Sequence, residues 1–331
     1  MHKQPDVSAQ GTPDHDTTLN RLKPILLNQT SFLLCFILVL GVLVAIINPN
    51  FRNIRNIINI FQQVSVLGIM SAGVGMLLIA GEFDISIGSQ LSVIGVVMAM
   101  IIEQKSNIPL SIIVSLLLGG LLGFVNGVTV VKSKAASFII TLGFMVGYKG
   151  LALVISHGYA YRLKGQFTYL GRGRLLGFLP IQVVVFIGVL LIAYVILRYT
   201  RYGRLLYAIG GNREAAYVSG IKTERNIIVA YMVVGLLNGL AALVLISQLG
   251  AAYPNTGDPF ALNALAAVVV GGTAITGGKG SALGIFLGVL IFGLISNALN
   301  VLNVNAYWRE VVLGLIIISA VTISKLSLEK E

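Results

Sequence analysis

Long apolar runs separated by short polar connections make up most of the chain, and the spacing of the breaks predicts ten membrane-spanning segments. They fall at 30–47, 64–80, 87–102, 109–131, 137–157, 180–198, 226–249, 263–278, 281–300 and 308–325, taking about 20 apolar residues as the crossing length. The second, third and eighth runs are short for a straight crossing and contain glycine, as broken or re-entrant helices do. No ten-residue segment alternates apolar and polar positions, which rejects a transmembrane β-barrel. The expected fold is all-α: a polytopic membrane protein of about ten transmembrane helices, some of them short or broken.

The polar stretches divide the chain. Residues 1–29, with Pro5, Pro13, Pro24 and mixed charge, read as a disordered cytoplasmic tail. Residues 30–325 form one transmembrane domain, and 326–331 a second short cytoplasmic tail. No short apolar stretch ends in a small-residue cleavage site, so the first run is expected to be a retained anchor. Residues 51–63, FRNIRNIINIFQQ, place Phe51, Ile54, Ile57, Ile58 and Phe61 at helical spacing, which reads as a helix lying in the membrane interface, the alternative being a plain start to the second span. Between the sixth and seventh runs lies GGNREAAYVSGI, residues 210–221, about three helical turns of polar, glycine-bounded sequence. Such an element between two spans suits docking to a soluble partner.

Composition supports the membrane class. Hydrophobic residues make up 56% and charged residues 11% of the chain, with mean hydropathy +0.91. The net charge of +11 does not point to nucleic acid, because the basic residues fall between apolar runs and orient the loops. Lys3, Arg21 and Lys23, then Lys132 and Lys134, then Arg198, Arg201, Arg204, Arg213, Lys222 and Arg225 share one side with Lys325 and Lys330 if the spans number ten. That side is the cytoplasm by the positive-inside rule, with both termini on it. Arg52 and Arg55, and Arg162, Lys164, Arg172 and Arg174 of segment 158–179, fall outside and run against the rule. Cys35 is the only cysteine, and His2, His15 and His157 are scattered, so no metal set is expected.

Candidate chemistry is sparse. Glu82 and Asp84, in LIAGEFDISIGSQ, are the acids read at membrane depth, and Ser86, Gly88 and Ser89 supply cap chemistry for the third span. Two readings stand: a cytoplasm-side break lining the pathway or its gate, or a polar loop whose acids cap a helix. GDPFALNA, residues 257–264, follows the seventh run as GEFDISIG, residues 81–88, follows the second. An offset of five spans makes this an inverted-topology repeat, pairing a cytoplasmic break with an external one. Further polar candidates for the pore are Asn126, Asn238, Gln248, Asn263, Asn297 and Asn300, each also readable as interhelical glue. Phe144, Tyr148, Tyr231 and Phe260 carry the same ambiguity, while Tyr307 and Trp308 read as an interfacial belt. Gly119, Gly123 and Gly127 form consecutive GxxxG steps, nearly repeated at Gly284, Gly288 and Gly293, a packing signal. AVVVGGTAITGGKGSALG, residues 267–284, is not a phosphate loop, since GxxxxGK[ST] is unmet and no strand precedes it. It reads as a helical hairpin between the eighth and ninth spans. No paired His/Asp, Ser/Lys or Cys/His set recurs on the spans, so an intramembrane enzyme has no support.

GEFDISIGS, YAIGGNREAAYVSGI and AAVVVGGTAITGGKGS, in this order and spacing, resemble the permease subunits of ribose-type sugar ABC importers across residues 30–325. The resemblance implies a pore built from two permease subunits, identical or different, loaded by a periplasmic or lipid-anchored substrate-binding protein. A cytoplasmic tandem ABC ATPase would dock on residues 203–221 and would hold ATP and Mg, leaving no cofactor in this chain. Gly203, Gly211, Asn212, Glu214, Ala215, Ala216, Ser219 and Gly220 are the coupling residues so implied, and Glu82, Asp84, Ser86, Asn126, Asn238, Gln248, Phe260 and Asn263 the pathway or gate candidates. The family pattern GGIDLSVGS is met at Gly81, Asp84, Ser86, Gly88 and Ser89, with Glu82 in place of a glycine. Where the family commonly shows an acid before Leu-Asp-Ala, this chain has Ala261, Leu262, Asn263 and Ala264. Two external carboxylates are therefore absent there, and ribose specificity does not transfer across the change. The alternatives are a branched-chain amino acid or nucleoside importer on the same scaffold, or an ion-coupled secondary transporter using Glu82 and Asp84.

Overall fold

The computed structural model describes residues 29–305, 307–308, 311–315 and 318–319. It is built of helices, and eight of those described are long and apolar enough to cross a membrane. These are α1 (Gln29–Ile47), α2 (Ile54–Ile79), α3 (Ile87–Lys105), α4 (Ile108–Ser133), α5 (Ser137–Ser156), α6 (Ile181–Tyr199), α9 (Thr223–Leu249) and α11 (Ala282–Val301). Between them lie α7 (Arg201–Gly211), α8 (Arg213–Val218) and α10 (Phe260–Val270). The expected eighth span thus folds as an eleven-residue helix followed by turns through 271–281. Four glycines in those turns, Gly272, Gly277, Gly278 and Gly280, take positive φ, which stops the helix short of a full crossing. The tenth expected span and both expected tails lie largely or wholly outside the described residues.

The interfacial reading of 51–63 gives way. Pro49–Arg52 is a short 3-10 turn, and Asn53 then caps a continuous α2 by accepting a hydrogen bond from the Arg55 N–H. The apolar positions from Ile54 onward are the first turns of a 26-residue helix. Its polar Asn56 exchanges two amide hydrogen bonds with Asn297 of α11, at 2.9 and 3.0 Å. Asn297 is therefore interhelical glue.

Most of α2, α3, α9 and α11 is buried, and α1 and α5 present most of their apolar surface outward. A helix apolar all round is placed by its small residues, because lipid and core attract leucine alike. The GxxxG steps of α4 do this. A Cβ on Gly119 would lie 2.2 Å from the Gly235 carbonyl, and one on Gly123 2.2 Å from that of Tyr231. On α9, Gly235 and Gly239 answer with the same spacing, so the two backbones touch directly. A second seam joins α10 and α11, where a Cβ on Gly288 would meet the Ala267 carbonyl at 1.9 Å. Gly235→Val is expected to lower stability by about 2–3 kcal/mol or more through overpacking, read as a lowered unfolding temperature of purified protein in detergent. An unchanged unfolding temperature would exclude the seam.

Segment 157–180 folds over the C-terminal end of α9. It forms a two-residue antiparallel pairing of Tyr161–Arg162 with Ala251–Ala252, and a second of Arg174–Leu175 with Leu179–Pro180. Two of its charges, which run against the positive-inside rule, meet partners within the fold. Arg172 donates to the last carbonyls of α9, Gln248 at 2.8 Å and Leu249 at 3.3 Å, the favourable place for a cation on a helix dipole. Lys164 pairs with Glu103 at 3.4 Å.

Candidate functional site

Two backbone breaks and one polar protrusion converge in the structure. The protrusion is α7 and α8. Thr200 caps α7 by accepting from the Gly203 N–H, and Asn212 ends α7 and caps α8 by accepting from the Ala215 N–H. The stretch expected as one three-turn helix is therefore split at Asn212. Gly211, Asn212, Glu214, Ala215, Ser219 and Gly220 are exposed, whereas Ala216 packs inward. Gly220 has φ +81, the left-handed conformation that turns the chain from α8 into α9. Gly203 faces away from the protrusion: a Cβ there would meet the Ile196 carbonyl at 2.2 Å, so it seats α7 on the end of α6. Tyr217 and Val218 project from α8 with 70% and 80% of their surface exposed.

The base of the protrusion is a knot of glycines. A Cβ on Gly210 would fall 1.9 Å from the Ile79 carbonyl and 2.6 Å from the Gly278 nitrogen. A Cβ on Gly277 would lie 2.8 Å from the Gly81 Cα and 2.9 Å from the Gly210 carbonyl, and one on Gly278 2.8 Å from the Gly211 Cα. The Gly278 N–H donates to the Ile79 carbonyl at 2.9 Å, and the Tyr207 hydroxyl to the Gly280 carbonyl at 2.8 Å. Burial pushes the Tyr207 phenol above its usual range, so it remains a donor at physiological pH. The protrusion thus touches both the break after α2 and the turns after α10. An ion pair adds to this, with Arg213, the first residue of α8, donating to Glu82 at 2.9 Å.

Beyond Glu82 the break is tied by its backbone to α5 and α9. The Phe83 N–H donates to the Ser137 hydroxyl at 3.1 Å, the Ile85 N–H to Thr141 at 3.4 Å, and Tyr231 donates to the Phe83 carbonyl at 2.7 Å. Non-helical backbone inside a membrane protein persists only with such partners. Asp84 is buried and accepts four hydrogen bonds: from the Ser86 N–H at 2.8 Å, the Ser86 hydroxyl at 2.6 Å, Gln90 at 3.1 Å and Asn126 at 3.0 Å. Asn126 accepts in turn from Tyr148 at 2.7 Å, and Gln90 from Asn238 at 3.1 Å. Asp84, Ser86, Asn126 and Asn238 therefore form one network joining α3, α4, α5 and α9, in which the buried Asn238 Oδ1 is left without a partner. The expected capping by Ser86 does not occur. Its hydroxyl bonds Asp84, and that carboxylate takes the Ser86 N–H.

The second break, 250–259, meets the first. A Cβ on Gly257 would lie 1.9 Å from the Gly88 carbonyl, and the Gly257 N–H donates to the Ser92 hydroxyl at 2.9 Å. The two segments aligned from sequence as a repeat are thus in backbone contact, and Gly88 is glycine because of it. Phe260 and Asn263 lie apart from the Asp84 network, lining a cavity of about 160 Å³ between α2 and α11 with Gln63, Val64 and Phe292. Gln248 sits in the last turn of α9, where Gly171 of segment 157–180 packs on its backbone. The sequence reading missed Lys149 and Asp258. Lys149 Nζ donates to Asp258 Oδ2 at 2.8 Å, one turn before Ala261. An isolated lysine in one apolar run and an acid in a loop carry no joint signal until the break folds inward.

The chain matches the family described as branched-chain amino acid transport system / permease component over residues 56–321. It is 38% identical to the ribose import permease protein of Bacillus subtilis (strain 168), with 89% of this chain and 91% of that protein covered. The corresponding Escherichia coli (strain K12) protein is 37% identical, with 91% and 94% covered. The D-allose transport system permease protein of the same strain is 35% identical, with 87% and 90% covered. No solved structure matches the chain. With its two breaks and polar protrusion, the chain belongs to the branched-chain amino acid transport system / permease component family, as a membrane-spanning permease subunit of the ribose-type sugar importer kind.

Proposed function

We propose that this chain forms the pore of an ATP-driven, binding-protein-dependent importer of a sugar or sugar-like solute in a bacterial inner membrane, with both termini cytoplasmic. A cytoplasmic tandem ATPase grips α7 and α8 and holds the ATP and Mg. Glu214, Ala215, Ser219 and Gly220 form the gripped surface with Tyr217 and Val218, while Gly203 and Ala216 seat it. A substrate-binding protein delivers solute to the outer face, and a second permease subunit closes the pore.

The observation that carries this reading is the Gly81–Gly210–Gly278 knot, reinforced by Arg213–Glu82. A push on α8 has no flexible tether to dissipate it. The knot passes displacement to the break after α2 and to the turns after α10. Contact between Gly88 and Gly257 then joins the inner break to the outer one. Interfaces of backbone on backbone shift between discrete packings rather than deform smoothly, which suits alternating access. In this scheme Asp84 and its partners hold the first break as one rigid unit. Phe260 and Asn263 line the second, and Gln248 lies where the outer segment meets α9.

The test is uptake into proteoliposomes holding the full complex, with labelled ribose, xylose, galactose, branched-chain amino acids and nucleosides. Sugar uptake that requires ATP inside and persists with an uncoupler is the expected result. Preference for amino acids or nucleosides would assign the other solute classes of this scaffold. Uptake abolished by an uncoupler at constant ATP would contradict ATP drive and favour ion coupling at Glu82 and Asp84.

A further inference from the structure

Lys149 is the thirteenth residue of the twenty in α5, about 10 Å along the axis from the outer end of that helix and about 18 Å from the inner end. Its side chain is 52% exposed and its partner Asp258 36% exposed, so the pair lies on the surface of the subunit at membrane depth. Asp258 is held there rather than at the outer rim, because the neighbouring Gly257 is pinned to Gly88 and Ser92 near the start of α3. Two charges facing acyl chains would cost about 2.5–3.5 kcal/mol each on insertion scales. A half-exposed ammonium and carboxylate persist at this depth when water covers them.

The same surface holds a cavity of about 150 Å³, open to one side, walled by Ile85, Gly88, Ser89, Met145 and Ala261 beside the charged pair. Its walls come from both breaks, residues 85–89 and 258–261. Gly143, Gly147 and Gly150 leave open space along the outward side of α5, which allows a second subunit to approach and close a water-filled passage. From these observations we infer that Lys149 and Asp258 are the solute-contacting pair of the translocation pathway, acting on a neutral polyhydroxylated molecule. The inference rests on the pore reading above and specifies where in the pore the solute touches.

The chemistry follows from the pair. Together the two groups carry no net charge, so neither an anion nor a cation gains over a neutral solute. Separately they offer ammonium donors and carboxylate acceptors, which hydroxyls can bridge by entering the Lys149–Asp258 hydrogen bond. Apolar walls from Ile85, Met145 and Ala261 suit the C–H face of a sugar ring and hold it weakly enough to release it.

The experiment uses the full complex in proteoliposomes with Cys35→Ser, so that single cysteines report alone. Lys149→Cys, Asp258→Cys and Ser89→Cys are reacted with neutral, anionic and cationic methanethiosulfonates, with Leu38→Cys at the middle of α1 as the lipid-facing reference. All three cavity positions are expected to react at least about tenfold faster than Leu38→Cys. Lys149→Cys, beside the remaining carboxylate, should prefer the cationic over the anionic reagent by about tenfold, and Asp258→Cys should reverse that preference. Excess ribose, xylose or galactose should slow the neutral reagent at Ser89→Cys several-fold. Rates equal to that of Leu38→Cys, or no charge preference at the paired positions, would overturn a water-lined pair. Rates unchanged by all three sugars would overturn solute contact. Labelling reads water and charge without transport, so a complex that labels as expected but imports no sugar contradicts the proposed function and leaves the pair's placement standing.

Discussion

Asp84→Ala is expected to abolish uptake and to destabilise the purified subunit by more than about 3 kcal/mol, the largest effect of any single substitution on this chain. The carboxylate is the common acceptor for the Ser86 N–H and hydroxyl and for the Gln90 and Asn126 amides. Removing it takes the acceptor from the Ser86 N–H and hydroxyl and leaves the Gln90 and Asn126 amides only the Ser86 hydroxyl oxygen, at 2.9 and 2.8 Å, and each buried donor left unsatisfied costs about 1–3 kcal/mol. Tyr148 and Asn238 hang on the same network through Asn126 and Gln90, so α5 and α9 loosen with it. Asp84→Asn is nearly isosteric but brings an amide donor against the Gln90 and Asn126 donors, and should recover only part of the loss. Unfolding temperature in detergent and uptake in proteoliposomes measure both. Wild-type stability in Asp84→Ala would show that the network does not hold the break.

Asp84 also shows where sequence stops and structure begins. A carboxylate at membrane depth signals a built environment, and that much was legible in GEFDISIGS. Whether it faces a pathway or closes a network depends on Asn126, 42 residues away, and Gln90, six away. Asparagine on a spanning helix gives the same signal in either case, and local pattern cannot choose between them. The spans were legible because twenty apolar residues have few other fates, and the α4 glycine steps because only packing explains their period. Their partner, Gly235 and Gly239, was hidden by the surrounding leucines of α9. The eighth run was legible as short and broken but not where it breaks: glycine counts as neutral in a hydropathy pattern, yet Gly272, with positive φ, turns the chain just after the helix ends at Val270. The ion pairs Arg213–Glu82 and Lys149–Asp258 span 131 and 109 residues, distances at which no periodicity speaks.

Reversing one charge of the Arg213–Glu82 pair gives the second large effect, on coupling rather than on fold. Arg213 is 51% exposed and Glu82 7%, so solvent screens the pair and its contribution to stability is about 1 kcal/mol or less. Its position gives it importance, since it joins the first residue of α8 to the break that follows α2. Glu82→Arg places two guanidinium groups against each other at the base of the protrusion. Uptake is expected to fall by about tenfold or more while ATP hydrolysis by the complex continues, because like charges in contact open the joint. Glu82→Arg combined with Arg213→Glu restores attraction and should recover most of the uptake. ATP consumed per solute imported is the readout, since a merely structural defect would lower both activities together. Equal loss of hydrolysis and uptake in the single variant, with no recovery in the double, would assign the pair to folding alone.

The coupling prediction assumes that α8 lies in the cytoplasm and is held by the ATPase. Ser219→Cys in a Cys35→Ser background tests this directly, because Ser219 is exposed at the end of α8. The rate of its reaction with a membrane-impermeant maleimide is measured in inside-out and right-side-out vesicles, with and without the ATPase. Labelling from the cytoplasmic face alone, suppressed when the ATPase is bound, is the predicted result. Labelling from the outer face, or a rate indifferent to the ATPase, would contradict it.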